Sequence, residues 1–378
     1  MAIYLDYNAT ALVRPEVRDA VMEAMMPGGN PSAVHALGRK ARARVENARA
    51  AVAELVGADP TSIIFSSGGT ESNAQAIASA VAAGCDRVIV SATEHPCISE
   101  TAIHCGVPVE VMPVLGDGQA DLAWLEAALA KGGRAFVSLH HANNESGVIQ
   151  SIAETAAMVR AAGGWMHVDA IQTLGKIAVD IRALGADTLT LSAHKIGGPQ
   201  GVGALVVAEN RAAIRIVHGA GQERGLRAGT ENVPGIAGFG AAALVVAQEM
   251  ASGVDHSAWR DAAEARVKAA GATIVGEGAP RLPNTLFMAV PAWDSPQQLI
   301  TLDLAGVMIS AGSACSSGKV KPSKTMVAMG MDDLATGGVR VSGGWNTQES
   351  DWVRFADAWT AAYEKHVSRL RKDVKKVA

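Results

Sequence analysis

The chain has 378 residues, with 33 Lys plus Arg against 37 Asp plus Glu and a formal net charge of −4. This length exceeds the roughly 100 to 200 residues of one domain, which favours a large domain with a smaller one. The slight acidic excess argues against a protein that binds nucleic acid or an anionic membrane through its net charge. Hydrophobic residues make up 49% of the chain, so an extensive core is expected and disorder is not.

The first residues of the chain, its longest apolar run and its cysteines indicate the cellular compartment. The first residues lack the basic start and apolar core of a signal peptide, and the apolar run 235–247 is too short and glycine-rich for a bilayer span. A cytoplasmic protein without a membrane segment is therefore predicted. Its four cysteines are scattered rather than paired at zinc-type spacing, so neither a disulfide scaffold nor a metal site is expected: Cys85, Cys97, Cys105 and Cys315. Cys85, Cys97 and Cys105 are predicted to be buried or incidental.

Short β-rich runs alternate with alanine-rich helical stretches through the first two thirds of the chain. The predicted strands are 63–65, 87–90, 135–139, 165–168, 188–191 and 203–207, and the predicted helices between them include 71–83, 121–130 and 152–162. This alternation predicts βαβ units around a mostly parallel sheet, an α/β fold. The pattern changes near 249–253, and a long terminal helix is predicted from about residue 348. We therefore expect a large domain at 13–250 and a smaller one formed by 1–12 and 251–378.

The strand-to-helix turn after residue 65 has the composition of a phosphate site. The sequence Phe-Ser-Ser-Gly-Gly-Thr-Glu-Ser-Asn at 65–73 ends a strand with hydroxyls and two glycines and then opens a helix. A helix amino terminus with free N–H groups binds anions well. The spacing is neither that of a dinucleotide-binding loop nor that of a P-loop, and a simply capped helix explains the residues equally well.

Two later strands end on residues that complete a cofactor site. Asp169 closes one apolar strand, and Lys195 follows another, where partial desolvation would lower the lysine pKa and favour a Schiff base. Each residue alone is better explained as a surface acid or a solvent-reaching lysine. Together with the turn at 65–73 they supply the three anchors of pyridoxal phosphate, namely its phosphate, ring nitrogen and aldehyde carbon.

Two further segments favour chemistry on an amino acid. Cys315 lies among small residues in the glycine- and serine-rich loop 310–318, which predicts an exposed, nucleophilic thiol. Arg340 lies in the β-like run 339–342, where its planar side chain suits a substrate carboxylate, although a surface ion pair remains an alternative.

These residues together resemble the pyridoxal-phosphate-dependent cysteine desulfurases that serve iron-sulfur cluster assembly, within the class V aminotransferase family. The resemblance is carried by motifs spread over nearly the whole chain, at 4–10, 29–32, 67–73, 93–96, 143–145, 167–170, 192–195, 227–230, 312–315 and 340–342. It implies the fold type I architecture of pyridoxal-phosphate enzymes, with a seven-stranded, mostly parallel sheet in the large domain and a smaller α+β domain that carries the cysteine loop. It also implies conversion of L-cysteine to L-alanine with a persulfide on Cys315.

The resemblance assigns a role to individual positions. Lys195 would bind the cofactor aldehyde, Asp169 the ring nitrogen, Gln172 the ring hydroxyl oxygen, and His95 would stack on the ring and serve in catalysis. Phosphate contacts would come from Gly69, Thr70, Ser192 and His194, joined by Thr230 from the second subunit of a homodimer. Asn144 and Arg340 would bind the substrate carboxylate. The sulfur would pass from Cys315 to an acceptor protein such as an iron-sulfur scaffold.

The chain departs from the usual family pattern at Trp345 and at Lys324, in the sequence Pro-Ser-Lys. Three functions stay open from sequence: a cysteine desulfurase, another class V activity such as a selenocysteine lyase or transaminase, and a non-catalytic assembly partner. The loop of Cys315 favours the first, because the second needs no mobile thiol, and the presence of Lys195, Asp169 and His95 argues against the third.

Overall fold

The computed structural model describes residues 2–253, 255–312 and 321–377, with side chains described up to residue 372. The strands are β1 Ile3–Tyr4, β2 Ile63–Ser66, β3 Arg87–Ser91, β4 Val109–Met112, β5 Ala135–His140, β6 Trp165–Asp169, β7 Thr188–Ser192, β8 Gly203–Val207, β9 Thr273–Ile274, β10 Thr285–Ala289, β11 Val307–Met308, β12 Ser310–Ala311 and β13 Val339–Ser342. The helices are α1 Pro15–Met25, α2 Ala36–Leu55, α3 Gly69–Ala82, α4 Pro96–Ala102, α5 Leu122–Leu129, α6 Ile152–Ala161, α7 Ile181–Leu184, α8 Val233–Ser252, α9 Ser257–Ala269, α10 Ser295–Leu304, α11 Lys324–Ala328 and α12 Glu349–Val377. Short 3₁₀ turns include Ala193–Lys195, directly after β7.

A seven-stranded sheet with the strand order β2-β8-β7-β6-β5-β3-β4 forms the centre of the molecule. Neighbouring strands from β7 to β4 are parallel, while β8 runs antiparallel to both β7 and β2. The predicted α/β class and its mostly parallel sheet are confirmed, and the six predicted strands agree with the observed ones to within one residue at each end. The sequence prediction missed β4, a half-exposed strand at the sheet edge whose Val-Glu-Val-Met sequence contains no continuous apolar run.

Helix α8 contributes to the core beside this sheet. It runs for 20 residues, so the sequence interpretation of 235–247 as too short to cross a bilayer was wrong about the length of the apolar helix. By length and composition it is the one helix among the described residues that could span a membrane, but half of its apolar stretch is buried in the protein. Phe239, Ala242 and Ala243 are fully buried in the core that contains the inner strands of the sheet.

A second group of core residues lies in the carboxyl-terminal third. The antiparallel sheet β12-β13-β10-β9 packs with α9, α10 and α12 around large side chains that include Trp352, Phe355 and Trp359. Strand β1 pairs in parallel with β11, so the first residues of the chain join this part. That pairing favours the division into 13–250 and a second domain of 1–12 with 251–378, which stays a prediction. The terminal helix begins at Glu349, one residue after its predicted start.

Candidate active site

The topology of the large sheet brings the predicted site residues to one edge. Because β8 is antiparallel to both of its neighbours, β2 runs in the same direction as β7, and the carboxyl ends of β2, β6 and β7 lie on the same side. Ser66, Asp169 and Ser192 close these three strands. Ligands in open α/β sheets bind at this edge, so the polar strand ends are positioned to form one site.

The turn after β2 leaves space for a phosphate group. Gly68 has φ +157°, a conformation that favours glycine, and a Cβ built there would meet no atom within 4 Å. The next residue, Gly69, packs tightly against the protein, because a Cβ on it would come 2.2 Å from the Ile171 side chain. Gly69 begins the 14-residue helix α3, with Thr70 exposed in its first turn. Both glycines are thus required, and the helix amino terminus faces an open cup.

Ser192 and His194 lie at the carboxyl end of β7, the same edge of the sheet as the turn after β2. Ser192 is buried at the strand end, and the His194 ring pairs through Nδ1 with Thr10 Oγ1 at 3.0 Å. Burial, together with the charge of Lys195, lowers the pKa of His194 to about 4, so its imidazole is neutral at physiological pH. A neutral ring that shares one nitrogen with Thr10 keeps the other nitrogen for a ligand.

Asp169 is a buried carboxylate held by neutral donors. Its Oδ1 accepts the Ile171 N–H at 3.0 Å, and its Oδ2 accepts the Asn73 Nδ2–H at 3.0 Å. Burial above all raises the Asp169 pKa to about 6, and the nearby Glu94 carboxylate acts in the same direction. A carboxylate in this setting gains strongly from a protonated nitrogen, which is what a pyridinium ring offers.

The Lys195 amine lies against the amino-terminal segment. Its Nζ donates to the backbone oxygens of Asn8 at 2.5 Å and Ala9 at 2.9 Å. Burial, followed by the positive charge of Arg340, lowers the Lys195 pKa to about 8. A sizeable fraction of neutral amine at physiological pH follows, as Schiff-base chemistry requires.

A second lysine, which the sequence analysis did not single out, lies beside this group. Lys176 Nζ donates to Asn8 Oδ1 at 2.7 Å and to Gln172 Oε1 at 2.9 Å. Burial and then the charge of Lys195 hold the pKa of Lys176 well below its usual value. The Gln172 Nε2 group donates to the Asn8 backbone oxygen at 2.9 Å, so one N–H of Gln172 remains for a ligand oxygen. Asn8 therefore joins Lys195, Lys176 and Gln172 in one hydrogen-bonded group.

His95 follows β3 at the same edge of the sheet and begins α4. Its Nδ1 accepts the Cys97 N–H at 3.2 Å, which fixes the ring at the helix start and leaves Nε2 free of that bond. The protein around the ring, and then the positive charge of Lys195, lower the His95 pKa. The imidazole has an exposed face, and its lowered pKa favours the neutral form that a proton acceptor needs.

Arg340 is buried, and its position corrects the alternative of a surface ion pair. Its guanidinium donates to Asp6 Oδ1 at 2.8 Å and to the Asn144 backbone oxygen at 2.9 Å. The Arg340 Nε–H is buried and has no partner among the described residues. Arg340 thus retains N–H capacity for a substrate carboxylate, but Asp6 shares the guanidinium, and Asp6 was not foreseen from the sequence.

Of the loop 310–318, the structure describes residues 310–312. Cys315 lies outside the described residues, so its predicted reactivity stays a prediction. A Cβ on Gly312 would come 2.4 Å from Glu145 Oε2, and Ser323 Oγ, just before α11, donates to the same oxygen at 2.5 Å. Burial raises the Glu145 pKa to about 7. Glu145, the residue after Asn144, therefore lies against Gly312 and is bonded to Ser323.

The remaining predicted site residue is Thr230, and the two positions that depart from the usual family pattern are Trp345 and Lys324. Thr230 is exposed, as a residue that serves a second subunit would be. Trp345 Nε1 donates to the Leu12 backbone oxygen at 2.8 Å, and the Arg14 guanidinium lies 5.4 Å from its ring centre, so Trp345 holds the amino-terminal segment. Lys324 begins α11, which is capped by Ser323.

The described residues fit pyridoxal phosphate at each of its three anchors. The open turn at Gly68 suits the phosphate, the buried Asp169 carboxylate suits a protonated ring nitrogen, and the Lys195 amine suits the aldehyde carbon. Among the described residues there is no cluster of His, Cys, Asp and Glu that could hold a metal ion.

Comparisons with known proteins agree with this geometry. The family model described as aminotransferase class-V matches residues 3–355. A cysteine desulfurase from Cereibacter sphaeroides is 40% identical over 376 residues, covering 96% of this chain and 92% of the relative. The cysteine desulfurase IscS from Dictyoglomus turgidum is 37% identical over 374 residues, covering 96% and 95%. The solved structure of a NifS-like protein from Rickettsia africae superimposes with a TM-score of 0.88 at 33% identity, over 96% of this chain and all of that one.

Proposed function

The chain belongs to the class V aminotransferase family and is a pyridoxal-phosphate-dependent cysteine desulfurase that forms L-alanine from L-cysteine, and we propose how its own residues carry out the reaction. One observation supports the assignment of residues most directly. The buried Asp169 carboxylate closes β6, and the Lys195 amine of lowered pKa lies in the turn after the neighbouring parallel strand β7, at the same edge of the sheet as the glycine turn of α3.

The cofactor-binding roles follow from the residue chemistry. Bound pyridoxal phosphate supplies a ring that takes up negative charge from the α-carbon of the substrate. Asp169 would keep a proton on the ring nitrogen, and Lys195 would bind the aldehyde carbon and move the α-proton of the substrate. Gln172 would donate its free N–H to the ring hydroxyl oxygen, and His95 would stack on the ring. Gly69, Thr70, Ser192 and His194 would hold the phosphate.

The substrate roles concern the carboxylate and the sulfur of cysteine. Arg340 and Asn144 bind the carboxylate, and the Arg340 charge is shared with Asp6. The Cys315 thiolate attacks the substrate sulfur, so that a sulfur–sulfur bond forms while the bond from sulfur to the β-carbon breaks. The electron pair of the broken bond passes to the β-carbon, which takes a proton and becomes the methyl group of alanine. His95 accepts the proton of the Cys315 thiol, which leaves the attacking thiolate.

The finer biological setting is also proposed. Thr230 of a second copy contacts the phosphate, which makes the active enzyme a homodimer; the exposure of Thr230 supports this. The persulfide on Cys315 passes to a sulfur-acceptor protein such as an iron-sulfur scaffold, in the cytoplasm. The described cysteines are free thiols, in keeping with a reducing compartment: Cys85, Cys97 and Cys105.

The test is to add L-cysteine to the purified holoenzyme, to measure alanine and sulfide with a dithiol present to reduce the persulfide, and to measure protein-bound persulfide without the dithiol. We expect one alanine for each sulfur released, with persulfide on Cys315 by mass spectrometry. Cys315→Ser should bind the cofactor and stop sulfur release, while Cys105→Ser, at a half-buried thiol away from the site, should behave as wild type. Full sulfur transfer by Cys315→Ser, or persulfide on Cys105, would contradict the proposal.

A further inference from the structure

Behind Asp169, three buried polar side chains form a hydrogen-bonded chain that the proposed function does not use. Thr188 Oγ1 lies 2.8 Å from His167 Nδ1, His167 Nε2 lies 3.0 Å from Asn73 Oδ1, and Asn73 Nδ2 lies 3.0 Å from Asp169 Oδ2. His167 and Asn73 are 0% exposed and Thr188 is 1% exposed, so solvent does not replace these bonds. The chain joins β7, β6 and α3, and His167 and Thr188 are direct partners in the parallel β6–β7 ladder.

The direction of each bond follows from the groups at its end. Asn73 Nδ2 also donates to Cys97 Sγ at 3.2 Å, so both of its hydrogens are used on acceptors. The opposite amide orientation would turn the Asn73 oxygen toward the Asp169 carboxylate, which is repulsive. With the oxygen facing His167, the His167 Nε2 must carry the hydrogen.

The histidine is therefore neutral, with one defined tautomer. Burial lowers the His167 pKa to about 4, although the Glu94 carboxylate opposes this. Its Nδ1 then has no proton and accepts the Thr188 hydroxyl hydrogen. The Phe136 ring stacks on the imidazole at 5.6 Å between centres and fixes its plane. All three dipoles consequently point their hydrogens toward Asp169, in an arrangement whose hydrogen bonds reinforce one another.

We infer that Thr188, His167 and Asn73 are positioning residues that hold the Asp169 carboxylate in its ionised form and in one orientation, so that it can accept a hydrogen bond from the protonated ring nitrogen of the cofactor. This inference rests on the proposed role of Asp169. The carboxylate is buried, and the Glu94 carboxylate near it favours protonation, so Asp169 depends on donated hydrogen bonds to stay charged. Asn73 donates one of the two observed bonds, and the His167 N–H that its oxygen accepts strengthens that donation.

The experiment uses the holoenzyme reconstituted with pyridoxal phosphate labelled with ¹⁵N in the ring. Three quantities are measured: the ¹⁵N chemical shift of the ring nitrogen, the dissociation constant of the cofactor, and the melting temperature of the cofactor-free protein. The variants are Asn73→Leu, which removes the donor to Asp169, and Thr188→Val, which removes only the remote hydroxyl. Thr188→Ser restores that hydroxyl without the methyl group and is the matched control.

Asn73→Leu should weaken cofactor binding by about tenfold or more, the effect of one hydrogen bond to a charged group, and should move the ring nitrogen toward its unprotonated shift. Thr188→Val should change both quantities in the same direction, with a dissociation constant raised about two- to tenfold, and Thr188→Ser should return them to the wild-type values. Should Asn73→Leu fail to fold, the comparison of the two Thr188 variants decides the question.

Two contrary results are distinguishable. An unprotonated ring nitrogen in the wild-type enzyme would overturn the proposed role of Asp169 and this inference with it. A protonated nitrogen in wild type that keeps its shift and its cofactor affinity in Thr188→Val would overturn this inference alone. A lower melting temperature of Thr188→Val without change in either cofactor quantity would likewise show that the chain only stabilises the fold.

Discussion

Removal of the Arg340 guanidinium should weaken the binding of the amino-acid carboxylate. In the structure this group is 5% exposed, and it is paired with Asp6 at 2.8 Å and with the Asn144 backbone oxygen at 2.9 Å. A hydrogen bond to a charged group contributes roughly 1.5 to 3 kcal/mol, and each 1.4 kcal/mol is about a factor of ten in affinity. Arg340→Ala should thus raise the KM for L-cysteine by about 10- to 150-fold, with a smaller effect on kcat.

The shared contact with Asp6 sharpens this prediction. In Arg340→Ala, the Asp6 carboxylate would lose its cation and repel the substrate carboxylate, so the loss should approach the upper end of that range. Asp6→Asn in the same protein should recover part of the affinity. Asp6→Asn alone should tighten binding, because the whole guanidinium then serves the substrate. Arg340→Lys keeps the charge without the planar pair of N–H groups and should lie between wild type and Arg340→Ala.

The assay is the KM for L-cysteine together with competitive inhibition by L-alanine, which has the same carboxylate and no thiol. Comparison of the two constants separates carboxylate binding from sulfur chemistry. Cofactor absorbance and circular dichroism check that each variant is folded and loaded. If both constants stay within about twofold of wild type in Arg340→Ala, then Arg340 does not bind the carboxylate, and Asn144 becomes the next residue to test.

Three further results are expected. Lys195→Ala should abolish alanine formation, and mass spectrometry should show that borohydride no longer attaches the cofactor to the protein; normal turnover would refute the assignment. Glu223→Gln should lower the free energy of unfolding, measured by urea titration, by about 3 kcal/mol, because Arg49 and Glu223 form a buried bidentate pair at 2.7 and 2.8 Å. Glu46, the other partner of Arg49, is exposed, so Glu46→Gln should lower it by less than about 1 kcal/mol. Folding raises the Asp169 pKa from 3.8 to about 6, so the folded state binds the proton more tightly than the unfolded state. The free energy of unfolding of the cofactor-free protein should therefore fall by up to about 3 kcal/mol as the pH rises from about 4 to about 6. An equal fall in Asp169→Ala would count against this cause.

The order of helices and strands could be predicted from the sequence because it depends on local pattern. The buried strands of a parallel sheet are mostly apolar, and β2, β3, β5, β6 and β8 have this character. Strand β7, with the sequence Thr-Leu-Thr-Leu-Ser, alternates leucine with β-branched threonine, which is also typical of a strand. Strand β4 lacked a continuous apolar run and was missed. The placement of Asp169 and Lys195 at strand ends was also local, and the shared edge followed from the general rule for parallel sheets.

Contacts between distant parts of the chain were not predictable in this way. Asp6 and Arg340 are 334 positions apart, and the sequence indicates nothing of their pairing. Lys176 lies in a short stretch with no motif around it, yet its ammonium bonds to Asn8 from the first strand region. Asn8 and Asn73 do belong to motifs that carried the family resemblance, and this was the one signal that could have singled them out.

What the sequence by itself determined is the set of chemical groups and their order along the chain, which was sufficient to identify the family and its cofactor. Only the tertiary structure decided how those groups behave, because a pKa depends on burial and on neighbouring charges. The lysine amine has a pKa of about 8 because the fold buries it near Arg340, and the carboxyl of Asp169 has a pKa of about 6 because the fold buries it near Glu94. The direction of the hydrogen bonds that reach Asp169 through His167 likewise depends on three elements packed together, which no local stretch of sequence specifies.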